Sequence, residues 1–216
     1  MALQLMLLDI WGILSALALA VALYAFSGNY PLEYMVLMGV FFITGTIVTV
    51  MGKMRKAEVG IYEYGRGWRN VLANGAVPVL MLVLGSPIAY FGSIASITAD
   101  KFASEIGSLG GEPYFLWGFK RVRKGTSGAI TILGTIASAI GALIAGIAVA
   151  FVFPQFSLSY SIIIMAAGFL GCMADSVAGI FETWGFGNKE TSNLIGAIVG
   201  AVLGIVLSNM FGFSFA

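Results

Sequence analysis

Three carboxylates, Asp100, Glu105 and Asp175, stand in stretches otherwise rich in alanine, isoleucine, glycine and phenylalanine. An acid inside an apolar helix is costly to bury, so it ordinarily faces a cavity, a cation or a polar partner. Asp100 and Ser104 are four residues apart and share one helical face, whereas Lys101 and Glu105 share another and can form an ion pair. Asp175, Gly179 and Glu182 recur at i, i+4 and i+7, which makes a single stripe. On a regular helix Asp100 and Glu105 point in different directions, so one metal ion could take both only with unwinding or different partners. Glu182 is expected to reach the membrane–water interface as a plain solvated acid.

A second group of residues suits anions. Gly125-Thr126-Ser127-Gly128 follows Arg123 and Lys124, and Thr191-Ser192-Asn193 follows Lys189. Each is expected to open a helix, as are Asn70 and Asn74. Helix N-termini offer unpaired N–H groups and a positive dipole end, both suited to phosphate. Ordinary capping by Thr, Ser and Asn accounts for each one taken alone. Their common placement beside two acids carries more weight. No Gly-x-x-x-x-Gly-Lys-Ser/Thr loop occurs. Histidine is absent and Cys172 is the one cysteine, which removes Ser-His-Asp and Cys-His nucleophilic schemes and disfavours zinc. Cys172 reads as a small buried hydrophobe.

The elements that must position these groups follow from composition. Of 216 residues 59% are hydrophobic and 10% charged, with a mean hydropathy of +0.98. A water-soluble domain of this length cannot bury that much apolar surface. In lipid every backbone polar group must be paired internally, which leaves helices or closed barrels. Long uninterrupted apolar runs suit helices rather than alternating barrel strands. The chain therefore reads as an all-α membrane bundle of about seven spans, a single domain over 1–216. The spans are expected near 10–26, 34–51, 71–84, 88–106, 126–153, 158–181 and 192–211. The N-terminus lacks a basic leader region, and residues 3–8 read as the edge of a retained helix.

Ten of the eleven Lys and Arg residues fall in the stretches 53–70, 107–124 and 185–191, which seven alternating spans place on one side. The excess of positive charge assigns that side, and the N-terminus with it, to the cytoplasm. Basic loops that merely set topology would account for the charge count by itself. A weak repeat also appears. Ala99-Asp100-x-x-Ala103-Ser104 is similar to Ala174-Asp175-x-x-Ala178-Gly179, and Lys124-x-Thr126-Ser127 to Lys189-x-Thr191-Ser192. It suggests two parallel hairpins, 88–153 and 158–211, related by an axis along the membrane normal. The small-residue stripe Gly196, Gly200 and Gly204, with Gly141 and Ala145, points to close helix packing and is compatible with a homo-oligomer.

With these residues in view, the chain resembles the integral-membrane family that includes plant phytyl-phosphate kinase and transmembrane protein nineteen. The resemblance rests on Val71-Leu72-Ala73-Asn74-Gly75, Asp100-x-x-Ala103-Ser104-Glu105-x-Gly107, Gly125-Thr126-x-Gly128 and Asp175-Ser176-x-x-Gly179. It implies a lipid kinase in the cell membrane, its active site facing the cytoplasm. The enzyme would phosphorylate a prenyl monophosphate to the diphosphate with CTP or another nucleoside triphosphate. It implies Mg²⁺ held by Asp100, Glu105 and Asp175, and phosphates held by Asn70, Asn74, Lys101, Ser104, Lys124, Gly125, Thr126, Ser127, Lys189 and Asn193. The partners would be the prenyl phosphate, the nucleotide and membrane lipid, with no nucleic acid. The chemistry is compatible. A phosphate monoester is already an anionic nucleophile, and phosphoryl transfer depends mainly on Mg²⁺, positive groups and in-line positioning. A cation-coupled transporter would also use intramembrane acids but needs a polar path to the far side. A non-catalytic scaffold would explain the glycine stripes and leave Asp100 and Asp175 unexplained.

Overall fold

The computed structural model describes residues 8–58, 67–156 and 158–213, without the side chains of 53–58. Among the described residues there are seven helices: α1 (Ile10–Phe26), α2 (Pro31–Glu58), α3 (Trp68–Val83), α4 (Pro87–Gly107), α5 (Ile132–Val152), α6 (Leu158–Glu182) and α7 (Lys189–Met210). Between α4 and α5 lies a short antiparallel ribbon, β1 (Tyr114–Phe115) with β2 (Ala129–Ile130), which pairs Tyr114 with Ile130. By length and composition Pro31–Gly52, α5, α6 and α7 can each cross a membrane, while α1 and α3 are shorter apolar helices. The architecture is the expected polytopic helical bundle, with the ribbon as an addition.

Local chemistry sets several helix starts. Asp9 Oδ1 accepts from Gly12 N at 2.6 Å to cap α1, and Asn188 Oδ1 accepts from Thr191 N at 3.0 Å to cap α7. Thr131 Oγ1 accepts from Gly134 N at 3.0 Å, so α5 starts at Ile132 rather than near 126. Ala129 and Ile130 are held in the ribbon, which is incompatible with a helix over the same residues. Residues 3–7 and Arg66 lie outside the described residues, as does Ser157.

α4 is the hub. It packs against α2, α3, α5, α6 and α7, and nearly every residue from Ala89 to Ala99 is buried. Such approach needs small residues where backbones meet. A Cβ on Gly92 would collide with the carbonyl oxygen of Gly200, and one on Gly168 would lie 2.5 Å from Ala95 Cβ. Ser96 Oγ donates to the Gly196 carbonyl at 2.9 Å, and Ser161 Oγ to that of Gly146 at 2.9 Å. Glycine stripes read from the sequence as packing surfaces thus seal the α4–α6–α7 junction.

These contacts fix the directions of the helices. α4 and α6 run parallel (Ala95 beside Gly168, Ser96 beside Gly171), while α5 and α7 run against them (Gly134 beside Gly107, Gly200 beside Gly92). α2 runs with α4, since Gly45 faces Lys101 and Gly52 faces Glu105. One end of the bundle therefore gathers Asp9, Asp100, Glu105, Asp175, Glu182 and Lys189 together with the 107–131 connection. The other end is closed by an aromatic cluster of Tyr34, Tyr90, Phe91, Phe153, Phe156 and Tyr160. Tyr90 Oη donates to the Tyr34 carbonyl at 2.8 Å and Tyr160 Oη lies 3.1 Å from Ser208 Oγ, so the buried hydroxyls are satisfied.

Candidate active site

Asp175 sits on the inward face of α6, two turns before its end, and is 9% exposed. Its electrostatic neighbours come from three elements: Asp100 on α4, Glu182 on α6, and Lys189 at the start of α7. Ser192 interacts with its carboxylate and also donates to the Lys189 carbonyl at 3.1 Å. The Asn193 amide, oriented to satisfy its surroundings, donates from Nδ2 to Asp175 Oδ2 at 3.2 Å and to the Lys189 carbonyl at 3.0 Å. A Cβ on Gly196 would lie 2.8 Å from Asp175 Cβ, so glycine there lets α7 carry Ser192 and Asn193 against the acid. The outcome is two carboxylates, Asp100 and Asp175, in mutual electrostatic reach within a helix junction.

The connection between α4 and α5 covers this junction. Gly128 adopts φ +73°, which favours glycine. Any Cβ there would also lie 2.5 Å from Ile180 N and from the Ser176 carbonyl oxygen. Gly179 answers it from α6, where a Cβ would lie 2.6 Å from Gly128 N. This glycine-on-glycine contact lets Ser127 reach α6, and its hydroxyl donates to Glu182 Oε2 at 2.6 Å. Glu182 is thus not a plain solvated acid: it is half-buried and holds the loop. The stripe Asp175, Gly179, Glu182 was visible in the sequence, but the loop that covers it was not.

The other expected residues are placed as follows. Glu105 is 4% exposed and turned toward α2, where it forms an ion pair with Lys101 and accepts from Thr49 Oγ1 at 3.2 Å. Among the described residues no group of three acidic, cysteine or histidine side chains is placed to hold a metal, so Asp100, Glu105 and Asp175 do not converge. Ser104 is exposed and donates to the Lys101 carbonyl at 3.2 Å. Lys124 and Gly125 are exposed on the rim, and Thr126 is occupied locally, donating to the Arg123 carbonyl at 2.8 Å. These residues form a turn rather than the helix start the sequence suggested. Asn70 and Asn74 lie in the first turns of α3, with Asn74 Nδ2 donating to the Asn70 carbonyl at 2.8 Å. Lys189 and Asn193 join Asp100 and Asp175, Ser127 reaches Glu182 instead, and Glu182 and Ser192 are additions to the set.

This donor set suits a hard cation. Mg²⁺ takes oxygen ligands, commonly one or two carboxylates completed by substrate phosphates and water. Asp100 and Asp175 would supply two carboxylates to such an ion, and Lys189 with the start of α7 would add positive potential beside them.

The chain is 36% identical over 208 residues to an uncharacterized membrane protein of Methanocaldococcus jannaschii, covering 93% of this chain and 85% of that one. It is 30% identical over 218 residues to an uncharacterized membrane protein of Synechocystis, covering 92% and 82%. Similarity to Protein PGR of Arabidopsis thaliana is 30% over 151 residues, 58% of this chain and 51% of the plant protein. No solved structure matches. With residues 1–192 matched by its family profile, the chain belongs to the integral membrane protein DUF92 family.

Proposed function

We propose that this protein is a Mg²⁺-dependent kinase that converts a prenyl monophosphate into the diphosphate, with CTP or another nucleoside triphosphate as donor. The observation that carries the proposal is the Asp100–Asp175 carboxylate pair, set beside Lys189 in a helix junction at the charged end of the bundle. The family resemblance drawn from the sequence motifs favours the same reading.

Asp100 and Asp175 would hold Mg²⁺, which when bound neutralises charge on the transferring phosphoryl group. Lys189 and the N–H groups opening α7 orient phosphate oxygens. Asn193 and Ser192 fix the Asp175 carboxylate, so that it meets the reacting groups without reorganising. Ser127, tied to Glu182, lays the 107–131 connection across α6 and excludes water from that side. In the reaction an acceptor phosphate oxygen forms a bond to the γ-phosphorus while the bridging bond to the β-phosphate breaks, releasing nucleoside diphosphate. The acceptor is already deprotonated, so no base is required. A transporter would need a polar route through the opposite end, where the core is the aromatic cluster.

The test is transfer of labelled γ-phosphate by purified protein with Mg²⁺. Label should appear in prenyl diphosphate, and free prenyl alcohol should be a poor acceptor because it needs deprotonation. Release of inorganic phosphate without diphosphate product, or efficient use of the alcohol, refutes the reading.

A further inference from the structure

A cavity of about 810 Å³ opens between α6 and α7. Ala174, Val177, Ala178 and Phe181 recur along α6 as one helical face and form its wall, and Ile195 of α7 stands opposite. Glu182, Asn188, Thr191 and Ser192 lie at the charged end. Ser192 lines the groove and neighbours the Asp175 carboxylate, which stands behind the lining rather than in it. Glu182 has one oxygen taken by Ser127, whereas Oε1 is buried with no hydrogen-bond partner among the described residues. A buried acceptor left this way is costly unless a donor arrives with a ligand or its hydration shell.

The lining of the groove is therefore almost wholly apolar, with its few polar side chains gathered at one end. Its polar mouth lies at the level of Asn188, and its apolar floor runs toward the bilayer interior, ending near Ala174 and Ile195. The seven steps along α6 from Phe181 back to Ala174 span about 10 Å. The volume falls within the roughly 300–1,000 Å³ typical of sites that enclose a small ligand. A purely apolar chain matches the wall formed by α6 and Ile195.

Resting on the kinase reading, we propose that this groove seats the apolar chain of the prenyl monophosphate, and that Ala174 at its deep end sets the chain length accepted. Alanine leaves the floor open, so a long chain continues past Ala174 toward lipid. An aromatic ring there closes the floor below a short chain. Ala174 is a specificity-determining position and takes no part in phosphoryl transfer.

The experiment compares geranyl and geranylgeranyl monophosphate as acceptors for wild type and Ala174→Phe in phosphatidylcholine nanodiscs. The variant should raise KM for the longer acceptor by about tenfold or more while changing the shorter by less than about threefold. Thermal midpoint and kcat with the short acceptor should hold. Should the variant fail to fold, wild type with a diazirine-bearing geranylgeranyl monophosphate serves instead. Adducts should fall on Val177, Ala178 and Ile195 and be displaced by unlabelled acceptor but not by inorganic phosphate. Equal KM changes for both lengths, or adducts on other helices with phosphorylation intact, overturn the groove and leave the kinase reading standing. Displaceable groove adducts without any phosphorylation support the groove and overturn the kinase. Groove adducts that unlabelled acceptor fails to displace overturn the groove as a substrate site.

Discussion

Asp100 and Glu105 are five residues apart on one helix yet live in different chemistry. Asp100 turns to Asp175 across the α4–α6 contact, while Glu105 turns to α2 and is neutralised by Lys101. The sequence already allowed that ion pair as the simpler reading of Lys101 and Glu105, and helical geometry already separated the two acids. What it could not supply was the partner on α6, because Asp175 arrives from 75 positions away in the chain. The distinction has measurable consequences. Asp100→Asn and Asp175→Asn should each lower kcat by about 100-fold or more, since a carboxylate that stabilises charge in the transition state is lost while volume is kept. Thermal midpoints in detergent should stay close to wild type. Glu105→Leu alone should cost about 3 kcal/mol by removing one side of a largely buried ion pair, and Lys101→Met with Glu105→Leu should recover most of it. The double variant should keep turnover within a few-fold. Collapse of activity in a folded double variant would return Glu105 to the metal site.

At the scale of elements, the 107–131 connection separates what pattern reading can and cannot do. α1 matched its expected limits, because an apolar run between Asp9 and Gly28 contains its own start and stop signals. The same method placed the fifth span near 126, since Thr126 and Ser127 look like caps. The actual cap is Thr131, and the four residues after Thr126 are drawn into a turn and a two-residue strand by long-range contacts. A strand that short has no periodicity to detect. Glu182 was misread for a related reason: its helical face was legible, but burial came from Gly128 docking on Gly179. That contact is the hinge on which the connection rests. Gly128→Ala places a Cβ where φ is +73° and backbone atoms stand 2.5 Å away, and should cost about 1–3 kcal/mol by overpacking. It should also loosen Ser127 from Glu182, so that kcat falls further than the stability change explains. A melting midpoint and kcat both equal to wild type would show that the connection is not held by this contact.

For the molecule as a whole, polarity along the bundle axis is the dominant feature. Of the described charged residues only Glu33 lies toward the aromatic end, and all four tryptophans (Trp11, Trp68, Trp117 and Trp184) lie toward the other. Tryptophan favours the membrane–water boundary, and basic loops are retained on the cytoplasmic side. Both arguments put the charged end at a membrane surface, and the second is the ground for expecting that surface to be the cytoplasmic one. Orientation can be read directly because Cys172 is buried and 0% exposed. On a Cys172→Ala background, Arg121→Cys and Trp184→Cys report the charged end, while Ser86→Cys and Gln155→Cys report the turns after α3 and α5. A membrane-impermeant maleimide added to intact cells should label the second pair, and labelling of the first pair should require permeabilised cells. The two residues of each pair come from different connections, so agreement within a pair tests the up-and-down order of the helices separately from their direction. Labelling of Arg121→Cys from outside with Ser86→Cys protected would invert the molecule in the membrane. It would leave the carboxylate pair where it is but remove it from the cytoplasmic nucleotide on which the kinase reading depends.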